Sequence, residues 1–182
     1  INLDDIQLHP GGTPKTGIMS SWPSGRNRIF LTPQGDRFVN EDAARDTLCK
    51  AIFKEGGNYW IVSNHVKYPT LDYLSKNLTI GEMIKLGQAF SGNTIEELAQ
   101  KTGMDPKKLR ASIDTYNNVV TGKIKEDNLG FKKFTQDDKP MTEGPFYATP
   151  VVPAVHHTMG GIQINSAAQV LDKNGQVIPG LF

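Results

Sequence analysis

Cysteine is almost missing from this chain: Cys49 is the only one in 182 residues. A single thiol excludes an internal disulfide framework and any zinc site built from several cysteines. It lies in Asp46-Thr47-Leu48-Cys49-Lys50-Ala51-Ile52-Phe53, a stretch with one apolar face at helical spacing, and so reads as a packed thiol. An excess of either charge is missing too. Lys and Arg total 20 against 19 Asp and Glu, which gives no electrostatic reason to expect nucleic acid or an anionic membrane as partner. No run approaches the roughly 20 apolar residues that span a bilayer. No Gly-x-Gly-x-x-Gly follows a strand, and neither a Gly-Lys-Ser/Thr phosphate loop nor a His-Glu-x-x-His metal motif occurs. His156 and His157 are adjacent, which on a strand points them apart, so no metal site is expected. Glycine and proline, in contrast, crowd residues 1–34 and forbid a long helix there.

Ordered elements follow. Arg28–Thr32 and Arg37–Asn40 read as the arms of a hairpin around Pro33-Gln34-Gly35-Asp36. Asn40-Glu41-Asp42 is expected to start a helix through Lys54, stopped by Gly56-Gly57. Tyr59–Ser63 is strongly β-prone. Short helices are expected over Leu71–Lys76 and Thr79–Leu86. Thr94 followed by Glu97 matches a capping box, and Gly103 ends that helix. Asp105-Pro106 opens another, with Leu109, Ile113, Tyr116 and Val120 at helical spacing before Gly122. Residues 123–143 read as a charged connection. Phe146–Val152, Gly161–Asn165 and Ala168–Asp172 are β-like, and Asp172-Lys173-Asn174-Gly175 is a hairpin turn. The fold class is α+β, with helices in the middle and strands at both ends. The chain begins with Ile1 and stops on the apolar Ile178-Pro179-Gly180-Leu181-Phe182, which reads as a piece cut from a longer protein on both sides.

Three stretches could carry chemistry: Gln7-Leu8-His9-Pro10, Gly35–Asp46, and Pro153–Gly161. Each alone has an ordinary structural explanation. A lone histidine is more often a hydrogen-bonded structural group than a catalyst, and an arginine in the first turn of a helix is usually solvated. In this order they resemble the fumarate reductase and succinate dehydrogenase flavoproteins, including the soluble bacterial reductases of fumarate and urocanate. The matching residues are His9-Pro10, Gly35-x-Arg37-Phe38-x-Asn40-Glu41, Arg45-Asp46, His156-His157-Thr158-Met159-Gly160-Gly161 and the ending Gly175-x-x-Ile178-Pro179-Gly180-Leu181-Phe182. Thr94–Ala99 with Tyr116-Asn117, and Gly144–Ala148, match as well.

The resemblance implies a substrate-capping domain over residues 1–144 and a β-rich return segment over 145–182. That segment would lead into a separate domain that holds FAD, with the terminal β segments at its edge. FAD is not expected on this chain alone. The reaction implied is reduction of an α,β-unsaturated carboxylic acid, with hydride from the flavin to one alkene carbon and a proton to the other. Arg45 matches the proton donor, and His157 and His9 match residues that hold the substrate carboxylate. Thr158 lies beside them, and Met159, Gly160 and Gly161 match the stretch near the cofactor. From chemistry alone a histidine would be the better acid, since an arginine pKa lies above about 12. The assignment to Arg45 rests on the resemblance. A bacterial source is implied, with cytoplasm and periplasm or cell surface both open.

One departure bears on substrate. Dicarboxylate-specific relatives carry Thr-Glu and then Arg three residues after the Glu. Those places hold Ser20, Ser21 and Ser24 here, beside Trp22. Arg26 or Arg28 are alternative sources of the lost charge. Two other readings stand beside the reductase: a ligand-binding or structural module without catalysis, and another flavoenzyme of the superfamily, of aspartate-oxidising or steroid-dehydrogenating type.

Overall fold

The computed structural model describes residues 4–14, 26–74, 77–133 and 135–182. In chain order the elements are β1 (Ile6–Gly12), β2 (Arg28–Leu31), α1 (Arg45–Lys54), β3 (Tyr59–Asn64), α2 (Ile80–Lys85), β4 (Phe90–Gly92), α3 (Ile95–Thr102), α4 (Pro106–Val120) and β5 (Phe146–Thr158). The sheet order is β1-β5-β3-β2, and β4 pairs with β5 off this path. β3 is antiparallel to both β2 and β5, with Phe30 opposite Ile61 and Ile61 opposite Thr149. The architecture is mixed helix and sheet.

Two compact units are present. The larger is His9–Ala154; the smaller combines Ile1–Leu8 with Val155–Phe182. In the larger unit the sheet is covered on both faces, which explains why Tyr59-Trp60-Ile61-Val62 is apolar without alternation. Side chains of a strand alternate in direction. Ile29, Leu31 and Val62 therefore pack with Leu98, Leu109, Ile113 and Tyr116 of α3 and α4. Phe30, Tyr59 and Ile61 pack on the other side with Leu48 and Ile52 of α1. A smaller cluster joins Tyr68, Ile80, Met83 and Tyr147.

Local signals set most helix ends. Asp105 accepts from the amides of Lys107 and Lys108 and places Pro106 at the start of α4. At α3, Thr94 accepts from Glu97 N as the sequence implies, but the Glu97 carboxylate reaches Asn93 N instead of closing the box on Thr94. α2 carries a complete box between Thr79 and Glu82. Gly144 must be glycine for space alone: a Cβ there would lie 2.3 Å from the Asn93 carbonyl oxygen.

Several expectations are corrected. α1 begins at Arg45, not at Asn40 or Asp42, and its N-cap Ala44 makes no side-chain cap bond. Asn40 instead accepts from Asp42 N and donates to the Gly130 carbonyl, so residues 40–43 curl as a turn. The returning arm of the 28–40 hairpin is one bridge, Leu31 to Arg37, because Arg37 N is taken by the Ser112 hydroxyl of α4. Leu71–Leu74 are not helix: Leu71 and Asp72 form a turn and Leu74 makes a single bridge to Thr79. Their carbonyls are drawn onto the start of α2, with Ile80 N donating to Tyr73 O and Gly81 N to Leu71 O. Ser75 and Lys76 lie outside the described residues. β5 runs to Thr158, well past Val152.

Candidate functional site

In the larger unit, His9 sits within β1 and is buried, 5% exposed. Pro10 follows it, and its carbonyl accepts a hydrogen bond from the Tyr59 hydroxyl at 2.5 Å. Burial pushes the Tyr59 phenol well above its usual pKa, so it stays a protonated donor. The sequence reading missed Tyr59. The available signal was a tyrosine inside an otherwise apolar strand, since a buried phenol needs a partner.

Arg45 is the first residue of α1 and is exposed. Leu48, Cys49 and Ile52 follow at three, four and seven residues and are buried. These spacings share one helix face. Arg45 therefore continues the packed stripe of α1 past the point where it is covered, and the helix sets the direction of its Cα–Cβ bond. Burial of Cys49 raises its thiol pKa, with Asp46 adding to the effect, and the thiol is free and packed.

The Gly35–Glu41 stretch turns out to be structural. The Arg37 guanidinium meets Glu41 through two nitrogens and Asp127 through a third, and lies 5.1 Å from the Phe131 ring centre. Burial alone would lower its pKa. The hydrogen bond and charge of Glu41, joined by Asp127, carry it above the usual value. Glu41 also accepts from Phe30 N, and its carbonyl accepts from Arg28. Arg28 is buried, and that desolvation lowers its pKa against the opposing charge of Glu41. Arg26 pairs with Asp42 at 2.9 Å and Asp138 at 3.6 Å. Both arginines considered as spare cations thus have carboxylate neighbours within this unit. Ser20, Ser21, Trp22 and Ser24 lie outside the described residues.

In the smaller unit, His157, Thr158 and Met159 are exposed at the end of β5, and Gly160 and Gly161 after them are half-buried. The two imidazoles do not point apart, as expected for neighbours on a strand. Their Nδ1 atoms are 2.8 Å apart and their ring centres 4.6 Å. Both residues are exposed, so no packing holds the rings perpendicular to the strand. Two facing nitrogens share a hydrogen bond when one carries the proton and the other accepts it. His156 Nδ1 also lies 2.9 Å from Gln7 Oε1, and His157 Nε2 lies 3.2 Å from the Met159 sulfur. Thr158 donates to the Gly160 carbonyl, and Met159 N to the Asp5 carbonyl. The Thr158 hydroxyl and the Met159 amide are already used within this unit, so the imidazoles are the donors this stretch can offer an anionic ligand.

A dinucleotide would require a glycine-rich turn whose helix N-terminus accepts phosphate. The four described helices are preceded by Ala44, Thr79, Thr94 and Asp105, three of which cap with their own side chains. Acidic residues fill the first turns of α1, α2 and α3. The described residues therefore do not fit the pyrophosphate of FAD by themselves. Among them, no group of three or more His, Cys, Asp or Glu could hold a metal ion, and no helix is long and apolar enough to cross a membrane.

Comparison with known proteins places the chain. A family model described as "FAD binding domain" matches residues 1–182. The chain is 35% identical over 188 residues to the NADH:acrylate oxidoreductase of Vibrio harveyi, covering 100% of this chain and 18% of that protein. It is 34% identical over 185 residues to the NADH:fumarate oxidoreductase of Klebsiella pneumoniae, covering 100% of this chain and 19% of that protein. Among solved structures it matches the open conformation of a flavocytochrome c3 fumarate reductase, with TM-score 0.74 and 31% identity over 100% of this chain and 31% of that one. The chain spans less than a third of each of these relatives. It belongs to the FAD-binding flavoprotein family that includes the fumarate and acrylate reductases, and FAD is the family's cofactor.

Proposed function

We propose that this chain is the substrate-capping part of an FAD-dependent reductase of α,β-unsaturated carboxylic acids. Residues 1–144 form the cap, and 145–182 return toward the protein's own FAD-binding domain. The relatives named for acrylate and fumarate reduction support the substrate class. The absence of a phosphate-accepting helix start among the described residues supports the capping role.

In this reading the chain supplies the acid half of the chemistry. His157, with Thr158 beside it, and His9 hold the carboxylate. Fixing that group polarises the alkene. Arg45 delivers the proton. By the resemblance, Met159, Gly160 and Gly161 serve the flavin side, and Ser20 and Ser21, which lie outside the described residues, are assigned to the distal end of the substrate. The observation that carries the reading is Arg45 itself, exposed at the end of a helix face that Leu48, Cys49 and Ile52 anchor in the core.

The test is turnover of the full-length protein with fumarate, acrylate and urocanate, repeated for Arg45→Lys. Lysine keeps the charge and loses the planar fork. The expected result is a kcat lower by at least about 100-fold, the low end for a positioned acid, with flavin content unchanged. Turnover within a few-fold of the parent would refute the role of Arg45.

A further inference from the structure

We infer that Tyr59 is a positioning residue for the substrate carboxylate, acting through the backbone of His9-Pro10. The inference rests on the carboxylate-binding role of His9. Tyr59 is buried, 2% exposed, and belongs to β3, whereas Pro10 belongs to β1. β5 lies between those two strands in the sheet. The phenol therefore reaches past one strand to take the Pro10 carbonyl at 2.5 Å. Its ring is held in turn, 4.9 Å from Phe30 and 6.2 Å from Phe38.

The position of that hydrogen bond gives it leverage. Between the Pro10 carbonyl and the peptide plane that contains the His9 Cα lie only the φ and ψ of Pro10. The pyrrolidine ring locks φ. Fixing the carbonyl therefore leaves one soft dihedral between Tyr59 and the histidine backbone. Gly11 and Gly12 follow within β1, whose pairing with β5 already holds this backbone. The phenol adds an anchor from a further strand, β3, at the residue next to His9. A carboxylate-binding imidazole displaced by an ångström loses much of its hydrogen bond, because the interaction weakens steeply with distance and angle.

The experiment is a double-mutant cycle in the full-length enzyme, with Tyr59→Phe, His9→Ala and the pair, using the best substrate among fumarate, acrylate and urocanate. Val39→Ala is the control, since Val39 packs in the same cluster as Tyr59 and has no bond to Pro10. Tyr59→Phe is expected to raise KM about tenfold, the low end for a hydrogen bond to a charged group, with kcat changed less than threefold. In the His9→Ala background the same substitution should add less than twofold, and Val39→Ala should leave KM unchanged. If His9→Ala raises KM but Tyr59→Phe does not, or if their effects multiply, the positioning role is overturned and the role of His9 stands. If Val39→Ala raises KM as much as Tyr59→Phe, the effect is general destabilisation and the inference fails. If His9→Ala leaves KM unchanged, the carboxylate role of His9 falls and the inference with it.

Discussion

Arg37 grips both carboxylate oxygens of Glu41, Nε to Oε1 at 2.9 Å and Nη2 to Oε2 at 2.6 Å, and its remaining nitrogen meets Asp127, 90 residues along the chain. The three side chains are almost wholly buried, and Glu41 also binds Phe30 N in β2. One carboxylate thus ties β2, the turn before α1 and the loop after α4.

Glu41→Gln should therefore destabilise the full-length protein by about 3 kcal/mol. That is the low end for removing one partner of a buried pair, because Asp127 still balances part of the Arg37 charge. Substrate KM should stay within about twofold at a temperature where the variant is folded, since a loss of stability does not itself alter substrate contacts. Denaturant unfolding at neutral pH, with substrate kinetics alongside, checks both. A large KM rise with little loss of stability would return this stretch to the active site.

Lys67 gives the pH prediction. Burial, with Arg28 nearby, lowers its pKa from 10.5 to about 8, and Nζ donates to the Arg26 carbonyl at 3.2 Å. A depressed lysine pKa means that the fold disfavours the charged form. Below about 8 both folded and unfolded chains carry the proton, and the penalty is fully present. Between about 8 and 10.5 the folded chain releases its proton first, so stability rises with pH. Lys67→Met has no such pH dependence. The stability of Lys67→Met minus that of the parent should fall by about 1 to 3 kcal/mol from pH 7 to pH 9.5, allowing for solvent screening of a half-buried group. Denaturant midpoints of both proteins across that range provide the check, and a constant difference would show that the ammonium is not desolvated.

Local signals made much of this architecture legible. Asp105-Pro106 and Gly122 bracket α4 because capping is settled within a few residues, and Thr94 marks α3 for the same reason. The start of α1 was not legible. Asn40 and Asp42 are good caps, but Glu41 is drawn inward by Arg37 and the turn closes before the helix begins. The length of β5 was hidden by Pro153, which follows the expected segment Phe146–Val152 and looks like a strand breaker, although the strand runs on through it to Thr158. His9, Arg45 and His157 are candidates that the resemblance supplied, and the contacts around them could not be read from the sequence. Tyr59 and Pro10 are 49 residues apart, and no periodicity connects them.

His157→Ala should act on binding. The residue is exposed and its Nδ1 faces His156; in the proposed role it donates to the substrate carboxylate, a bond worth about 1.5–3 kcal/mol. The expected rise in KM is about 10- to 150-fold, with a much smaller change in kcat. Steady-state kinetics of the full-length variant checks it. An unchanged KM would make His157 a strand residue beside the site.

Substrate choice follows from charge. Counted back from Arg45 without gaps, the resemblance puts Ser20, Ser21 and Ser24 at the places where a dicarboxylate reductase carries Thr, Glu and Arg. Serine is short and neutral, so it cannot balance a second carboxylate, and a desolvated unpaired carboxylate costs several kcal/mol. The nearby arginines are drawn to other partners. Arg26 sits between Asp42 and Asp138, and the buried Arg28 donates to the Glu41 carbonyl. Recruiting either would break contacts that the larger unit uses for its own stability. Trp22, next to Ser21 in the sequence, is the residue type suited to an aryl or alkenyl group. The full-length enzyme should therefore prefer a monocarboxylic acrylate to fumarate, by about tenfold or more in kcat/KM, the equivalent of about 1.4 kcal/mol. Measuring kcat/KM for fumarate, acrylate, a cinnamate-like acid and urocanate checks this. Fumarate leading by tenfold would mean that a cation reaches the distal carboxylate after all, and Arg26→Gln would then identify it by removing the preference.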